Sequence, residues 1–105
     1  MIYAYIAGPY TAPDPVINTA NAIRAGEEVR KAGVAPYVPH LTMFWHLLVP
    51  NEYEVWLEHD IHWLRKCDAL IRLPGPSLGA DAEVVEAERL GIAVYYSVEA
   101  FIQSM

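Results

Sequence analysis

Two carboxylates in this 105-residue chain stand where helical periodicity turns them toward apolar neighbours. Within residues 80–90, Ala80, Val84, Ala87 and Leu90 share one stripe at about 100° per residue, and Glu83 falls inside it. Asp81, Glu86, Glu88 and Arg89 fall outside. Within residues 51–67, Tyr53, Leu57, Ile61 and Leu64 define a second stripe, widened by Trp56, Trp63 and Cys67, and Asp60 lies within it. A carboxylate on a buried face is unfavourable unless it is paired, hydrogen-bonded or poised for chemistry. Either acid alone can be a structural carboxylate that receives backbone N–H groups. Two acids flanking one cleft suit glycosyl chemistry: one attacks or stabilises an oxocarbenium-like carbon, and the other positions a sugar hydroxyl or handles a proton.

The elements that must bring them together alternate between strand and helix. Residues 2–7 (IYAYIA) form an apolar run ended by Gly8-Pro9, the pattern of a strand covered on both faces. Asp14-Pro15 opens a helix to about Lys31, closed by Gly33. Residues 34–39 read as a second strand and "HLTMFWHLLVP" as a long apolar loop, after which Asn51 caps a helix to about Lys66. Residues 68–73 give a third strand, the turn 74–79 leads into a helix ending at Gly91, 92–96 is a fourth strand, and Ser97 caps a short last helix. This order predicts a single α/β domain over 1–105, a Rossmann-like or flavodoxin-like three-layer sandwich. Its parallel sheet has four or five strands in the order 2-1-3-4(-5). Ligands bind such sheets beyond the strand C-termini where the order reverses, here between strands one and three.

The two loops meeting there, "GPYTAPDP" and "PGPSLGA", supply the candidate binding residues. Gly75 and Gly79 permit positive φ and close backbone approach, and Ser77 offers a hydroxyl near a helix N-terminus, a plausible phosphate seat. Gly8 admits a ligand close to the backbone in the facing loop. Tyr5 and Tyr10 offer a stacking ring or a hydroxyl, although Tyr5 equally suits core packing. His59 and His62 are spaced i,i+3 on a polar face without a third ligand, so no metal site is expected. His40 and His46 either contact a ligand or lie at the surface or an interface. Cys67 is expected to be an inert core thiol.

Hydrophobic residues make up 54% of the chain and charged residues 19%, and the net charge is −6 without a Lys/Arg cluster. That balance argues against binding a nucleic-acid polymer, and no apolar run approaches the roughly 20 residues of a membrane span. A lone cysteine and the lack of a signal-like start point to the cytoplasm. The apolar excess, with Phe44, Trp45, Leu47, Leu48 and Val49 in one loop, points to a homodimer or higher homo-oligomer.

Three motifs together resemble the nucleoside 2-deoxyribosyltransferase-like superfamily: "IYAYIAGPYT", "DIHWLRKCDALI" and "PSLGADAE", in the family's order and across most of the domain. The resemblance implies Glu83 as the nucleophile or oxocarbenium-stabilising acid and Asp60 as the partner that engages the sugar or the leaving base. It places Tyr5, Gly8, Pro9, Tyr10, Ser77 and Gly79 around a nucleoside or nucleotide, with no cofactor. Ser77 matches the phosphate-binding serine of the 2'-deoxynucleoside 5'-monophosphate N-glycosidases, which implies a nucleotide rather than a free nucleoside, whereas Pro9 replaces a serine of their first loop. The expected activity is N-glycosidic cleavage, by hydrolysis or deoxyribosyl transfer. A nucleotide-binding or sensing module without turnover is the alternative, and an assembly protein acting through its apolar loop is a third.

Overall fold

The computed structural model describes residues 1–105. The apolar run near the N-terminus forms β1 (Tyr3–Ala7), enclosed on both faces from Ala4 onward. Asp14 starts α1 (Pro15–Lys31) by accepting the Val16 and Ile17 amides at 2.8 and 3.2 Å, which satisfies two of the free N–H groups at a helix start. The chain continues through β2 (Ala35–Tyr37), a 3₁₀ turn (Pro39–Leu41), α2 (Thr42–Leu48), α3 (Tyr53–Leu64), β3 (Ala69–Arg72), α4 (Leu78–Arg89), β4 (Ala93–Tyr95) and α5 (Val98–Gln103).

All strand pairs are parallel, and the sheet order is β2-β1-β3-β4, the predicted order with four strands and no fifth. Side chains alternate across β1. Ala4 and Ile6 join Ala22, Val29 and Phe101 in a core beneath α1 and α5. Tyr5 and Ala7 join Leu64, Leu70 and Val84 beneath α3 and α4. Helices on both faces of a parallel sheet make the three-layer α/β arrangement.

Several local expectations need correction. The predicted apolar loop is largely helical, as the 3₁₀ turn and α2. Its near-uniform hydrophobicity hides any helical period, and no residue of α2 is buried. Asn51 does not cap α3: Glu52 precedes its first turn without a side-chain hydrogen bond, and the Asn51 amide donates to the Val49 carbonyl at 3.0 Å. Tyr53 and Leu90, assigned to core stripes, are exposed. Leu64 is the one buried residue of α3, because the earlier turns of that helix stand over a cleft rather than over the sheet.

At Gly26, α1 lies close against Val38, just beyond the end of β2. A Cβ there would lie 2.8 Å from Val38 Cγ2, closer than packed carbons tolerate. Gly26→Ala gains up to about 1 kcal/mol of helix propensity but overpacks the core at about 1–3 kcal/mol. The expected net result is a destabilisation of about 1 kcal/mol in urea melts. Adding Val38→Ala should reverse its sign, whereas simple additivity of the two substitutions would contradict this packing argument.

Candidate active site

β1 and β3 end side by side, and the loops leaving them face the α2–α3 hairpin across a cleft of about 980 Å³. Glu83 and Asp60 both line it. Glu83 is 7% exposed, on the second turn of α4, and its carboxylate accepts a hydrogen bond from the Tyr5 hydroxyl. Asp60 is half-buried on α3, and its Oδ1 accepts the Tyr37 hydroxyl at 3.2 Å. Periodicity thus singles out the two acids that share the cleft. Asp81 is exposed and pairs with Arg72, while Glu86 is half-buried between Arg65 and Arg89.

The electrostatics follow from burial. Desolvation pushes Glu83 up to about 7, and the Asp60 charge adds to it, against the Tyr5 hydroxyl and the Arg72 guanidinium. Desolvation likewise pushes Asp60 up to about 7, against the Tyr37 hydroxyl. Near neutral pH each carboxyl is therefore close to its own titration, and the Asp60 charge further disfavours ionisation of Glu83. Burial and then Glu83 raise the Tyr5 phenol well above its usual range, so it remains a neutral donor.

The remaining sequence candidates divide between cleft wall and support. Gly8, Tyr10, Ser77 and Gly79 line the cleft. Tyr5 is fully enclosed and acts through its hydroxyl, while its ring stacks on Tyr37 at 5.5 Å. Pro9 is not part of the wall. Its carbonyl holds His40 at 2.9 Å, and its ring packs under Gly75, where a Cβ would come within 2.9 Å of Pro9 Cγ. Gly75 has φ 114°, as its turn demands, but Gly79 is helical with no positive φ. Its small size matters instead, because the Tyr53 hydroxyl lies 2.9 Å from where a Cβ would be. Ser77 caps α4 by accepting the Ala80 amide at 3.0 Å, which leaves its own hydroxyl proton free to donate.

Three further residues, Arg72, Asn18 and Tyr37, shape the site without an obvious sequence signal, and His40 joins them. Arg72, at the end of β3, is 9% exposed and donates to the Leu73 and Gly75 carbonyls and to Asp81, locking the turn into α4. Asn18 donates to the Tyr10 and Ala12 carbonyls at 2.9 and 3.0 Å, fixing the loop after β1. Tyr37 holds Asp60. His40, expected at a surface or a ligand, is buried in the cleft wall. Burial lowers its pKa, so its Nε2–H donates to Pro9 and its Nδ1 presents an unpartnered acceptor. The alternation of a strand hides Arg72 and Tyr37, since either residue also fits an edge-facing position. No group of three or more His, Cys, Asp or Glu side chains is placed to hold a metal.

The pair links stability to pH. Both carboxyls titrate near 7 when folded but near 4 in an unfolded chain, so the folded state binds more protons and stability falls as pH rises from about 4 through 7. The neutral double variant Glu83→Gln/Asp60→Asn should match the parent at pH 4. It should exceed the parent at pH 8 by on the order of a few kcal/mol in denaturant melts. A constant difference across that range would contradict burial of the charged pair.

The architecture is similar to that of a 2-deoxyribosyltransferase from Leishmania mexicana, with TM-score 0.67 and 24% sequence identity, covering 90% of this chain and 62% of that one. It is also similar to a 2-deoxyribosyltransferase from the psychrotolerant bacterium Bacillus psychrosaccharolyticus, with TM-score 0.64 and 17% identity, covering 88% of this chain and 69% of that one. The chain thus spans less than two thirds of the Leishmania protein, and at these identities the likeness is one of fold. No curated protein matches the sequence. Residues 2–97, from the first strand to the cap of the last helix, match the family described as a domain of unknown function, DUF7768, and the chain belongs to that family.

Proposed function

We propose that the chain cleaves the N-glycosidic bond of a nucleoside, with Glu83 as nucleophile and Asp60 as proton donor. The observation that carries this reading is the pair of buried carboxylates on one cleft, each held by a tyrosine hydroxyl and both titrating near neutrality. An ionised Glu83 attacks the anomeric carbon as the carbon–nitrogen bond breaks. The bonding electrons go to the base nitrogen, which takes the proton from Asp60. Water or a second base then attacks the same carbon and releases Glu83, and the Asp60 carboxylate takes up the acceptor's proton. Hydrolysis and deoxyribosyl transfer differ only in that acceptor. The 2-deoxyribosyltransferase fold agrees with this chemistry.

Charge favours the uncharged nucleoside over its 5'-monophosphate. No Lys or Arg lines the cleft, two carboxylates do, and Arg72 is committed to the turn. The monophosphate is the second reading. It is supported by the Ser77 hydroxyl and by the Leu78 and Gly79 amides, which find no acceptor within α4. Tyr10, Trp56, Met43 and Leu47 offer apolar surface for a base.

Free base should appear on incubation with deoxynucleosides, with a rate peaking at about pH 7, between the titrations of acid and nucleophile. Glu83→Gln should lower kcat by about 10³-fold or more. Asp60→Asn should lower it by about 10²–10⁴-fold, less for substrates whose base leaves readily. Chromatography of a panel of nucleosides and 5'-monophosphates provides the measurement. Full activity in Glu83→Gln would refute the mechanism, and tight binding without base release by the parent would identify a sensing module instead.

A further inference from the structure

Tyr5 and Tyr37 are register partners on neighbouring strands, so their side chains leave the same face of the sheet side by side. Their rings stack with centroids 5.5 Å apart and planes 30° apart, and the outer face of Tyr37 is covered by Trp63 at 5.6 Å and 18°. The Tyr37 ring is thereby clamped between two others. Phenylalanine would stack equally well in that slot, so the hydroxyl is the informative atom. It donates to Asp60 Oδ1 at 3.2 Å, while Oδ2 takes no hydrogen bond from the chain. Tyr37 is absent from the cleft wall, whereas Asp60 is part of it.

We propose that Tyr37 is the positioning residue of this site: its clamped hydroxyl fixes the Asp60 carboxyl by one oxygen and sets when that group releases its proton. The two strand tyrosines then form one device, in which Tyr5 serves the nucleophile and Tyr37 serves the acid. The inference rests on the reading of Asp60 as proton donor. Holding Oδ1 leaves Oδ2 to carry the transferable proton toward the ligand. When the proton departs, the Tyr37 hydrogen bond strengthens on the new carboxylate and stabilises it. The groups that also face Asp60 are Glu83 on α4, Tyr5 on β1 and Tyr53 on α3, and Cys67 lies close to Tyr37. Arg72 acts on Glu83 from the other side. None of these except Tyr37 hydrogen-bonds Asp60.

Tyr37→Phe keeps the stack and removes the donor. Two readouts test it: the Asp60 carboxyl titration followed by ¹³C NMR on labelled protein, and the pH profile of base release. The titration midpoint should rise by roughly one pH unit, because a hydrogen bond to the charged form is lost. The alkaline limb of kcat should move up with it, kcat should fall roughly tenfold, and KM should stay unchanged. Placing 3-fluorotyrosine, a stronger donor, at position 37 should move the midpoint down, a reversal that a packing role cannot produce. An unchanged Asp60 midpoint in both variants overturns the proposal, as does a change in KM with kcat preserved. If the parent releases no base from any nucleoside, the proposed reaction fails, yet the NMR midpoints still decide the role of Tyr37.

Discussion

The Tyr5 hydroxyl donates to Glu83 across the end of β1, and much of the molecule is arranged so that these two groups can meet. A fully enclosed phenol needs a partner, and a carboxylate on the core face of a helix needs a donor. Each meets the requirement of the other only if α4 begins where β1 ends. Arg72 secures that geometry by tying the turn carbonyls and Asp81 to the end of β3. Gly75 lets the turn pass over Pro9, and Ser77 starts the helix at the right residue. On the opposite side, Asn18 holds the loop after β1 in place. The site is thus built where β1 and β3 end, with Glu83 carried by the second turn of α4 and Asp60 by the later turns of α3.

The same arrangement sets function against stability. Desolvation raises both carboxyls to near 7, and each is restrained from rising further by a tyrosine hydroxyl, with the Arg72 guanidinium also acting on Glu83. A group that titrates near neutrality is useful for proton transfer, yet it weakens the fold at the pH where it must ionise. The aromatic stack of Tyr5, Tyr37 and Trp63 opposes that penalty. Offset rings contribute about 0.5–1.5 kcal/mol per pair beyond the area they bury. The residues that present the donors are therefore also residues that help compensate for the acids.

Legibility in the sequence followed the range of the signal. Strand order was accessible because alternating strands and helices leave few right-handed arrangements. Glu83 and Asp60 were accessible because a single acid on an apolar helical stripe is visible without any tertiary knowledge. Helix α2 was not, since a segment as uniformly apolar as Thr42–Leu48 carries no period to read. Tyr53 and Leu90 fitted stripes but lie exposed, because a wheel ranks faces and cannot say how far along a helix its partner extends. Arg72 and Tyr37 escaped for a different reason. Their roles depend on groups remote in sequence, or on a turn that must fold before its carbonyls converge, and short strands display no pattern for either. The burial of His40 likewise depends on the Pro9 carbonyl, 31 residues away.

The two walls of the cleft are held by unlike forces. The sheet-edge wall carries Glu83, whereas Asp60 projects from α3, and that first wall is anchored by buried hydrogen bonds and two packed cores. The facing wall is the α2–α3 hairpin, in which only Leu64 is buried. Its cohesion comes from edge-on contacts of Trp45 with Trp56 and His59, and from the Trp56 indole donating to His46 Nδ1 at 2.8 Å. Segments with few buried contacts open at lower free energy than core elements. Under the proposed reaction, the firm wall would hold the nucleophile, the later turns of α3 would hold the acid, and the apolar residues before them would meet the base. Substitutions within residues 42–57 can then alter which base is accepted without replacing either tyrosine-held acid. That separation follows from the topology, because residues 39–57 are inserted between β2 and the part of α3 that packs on the sheet.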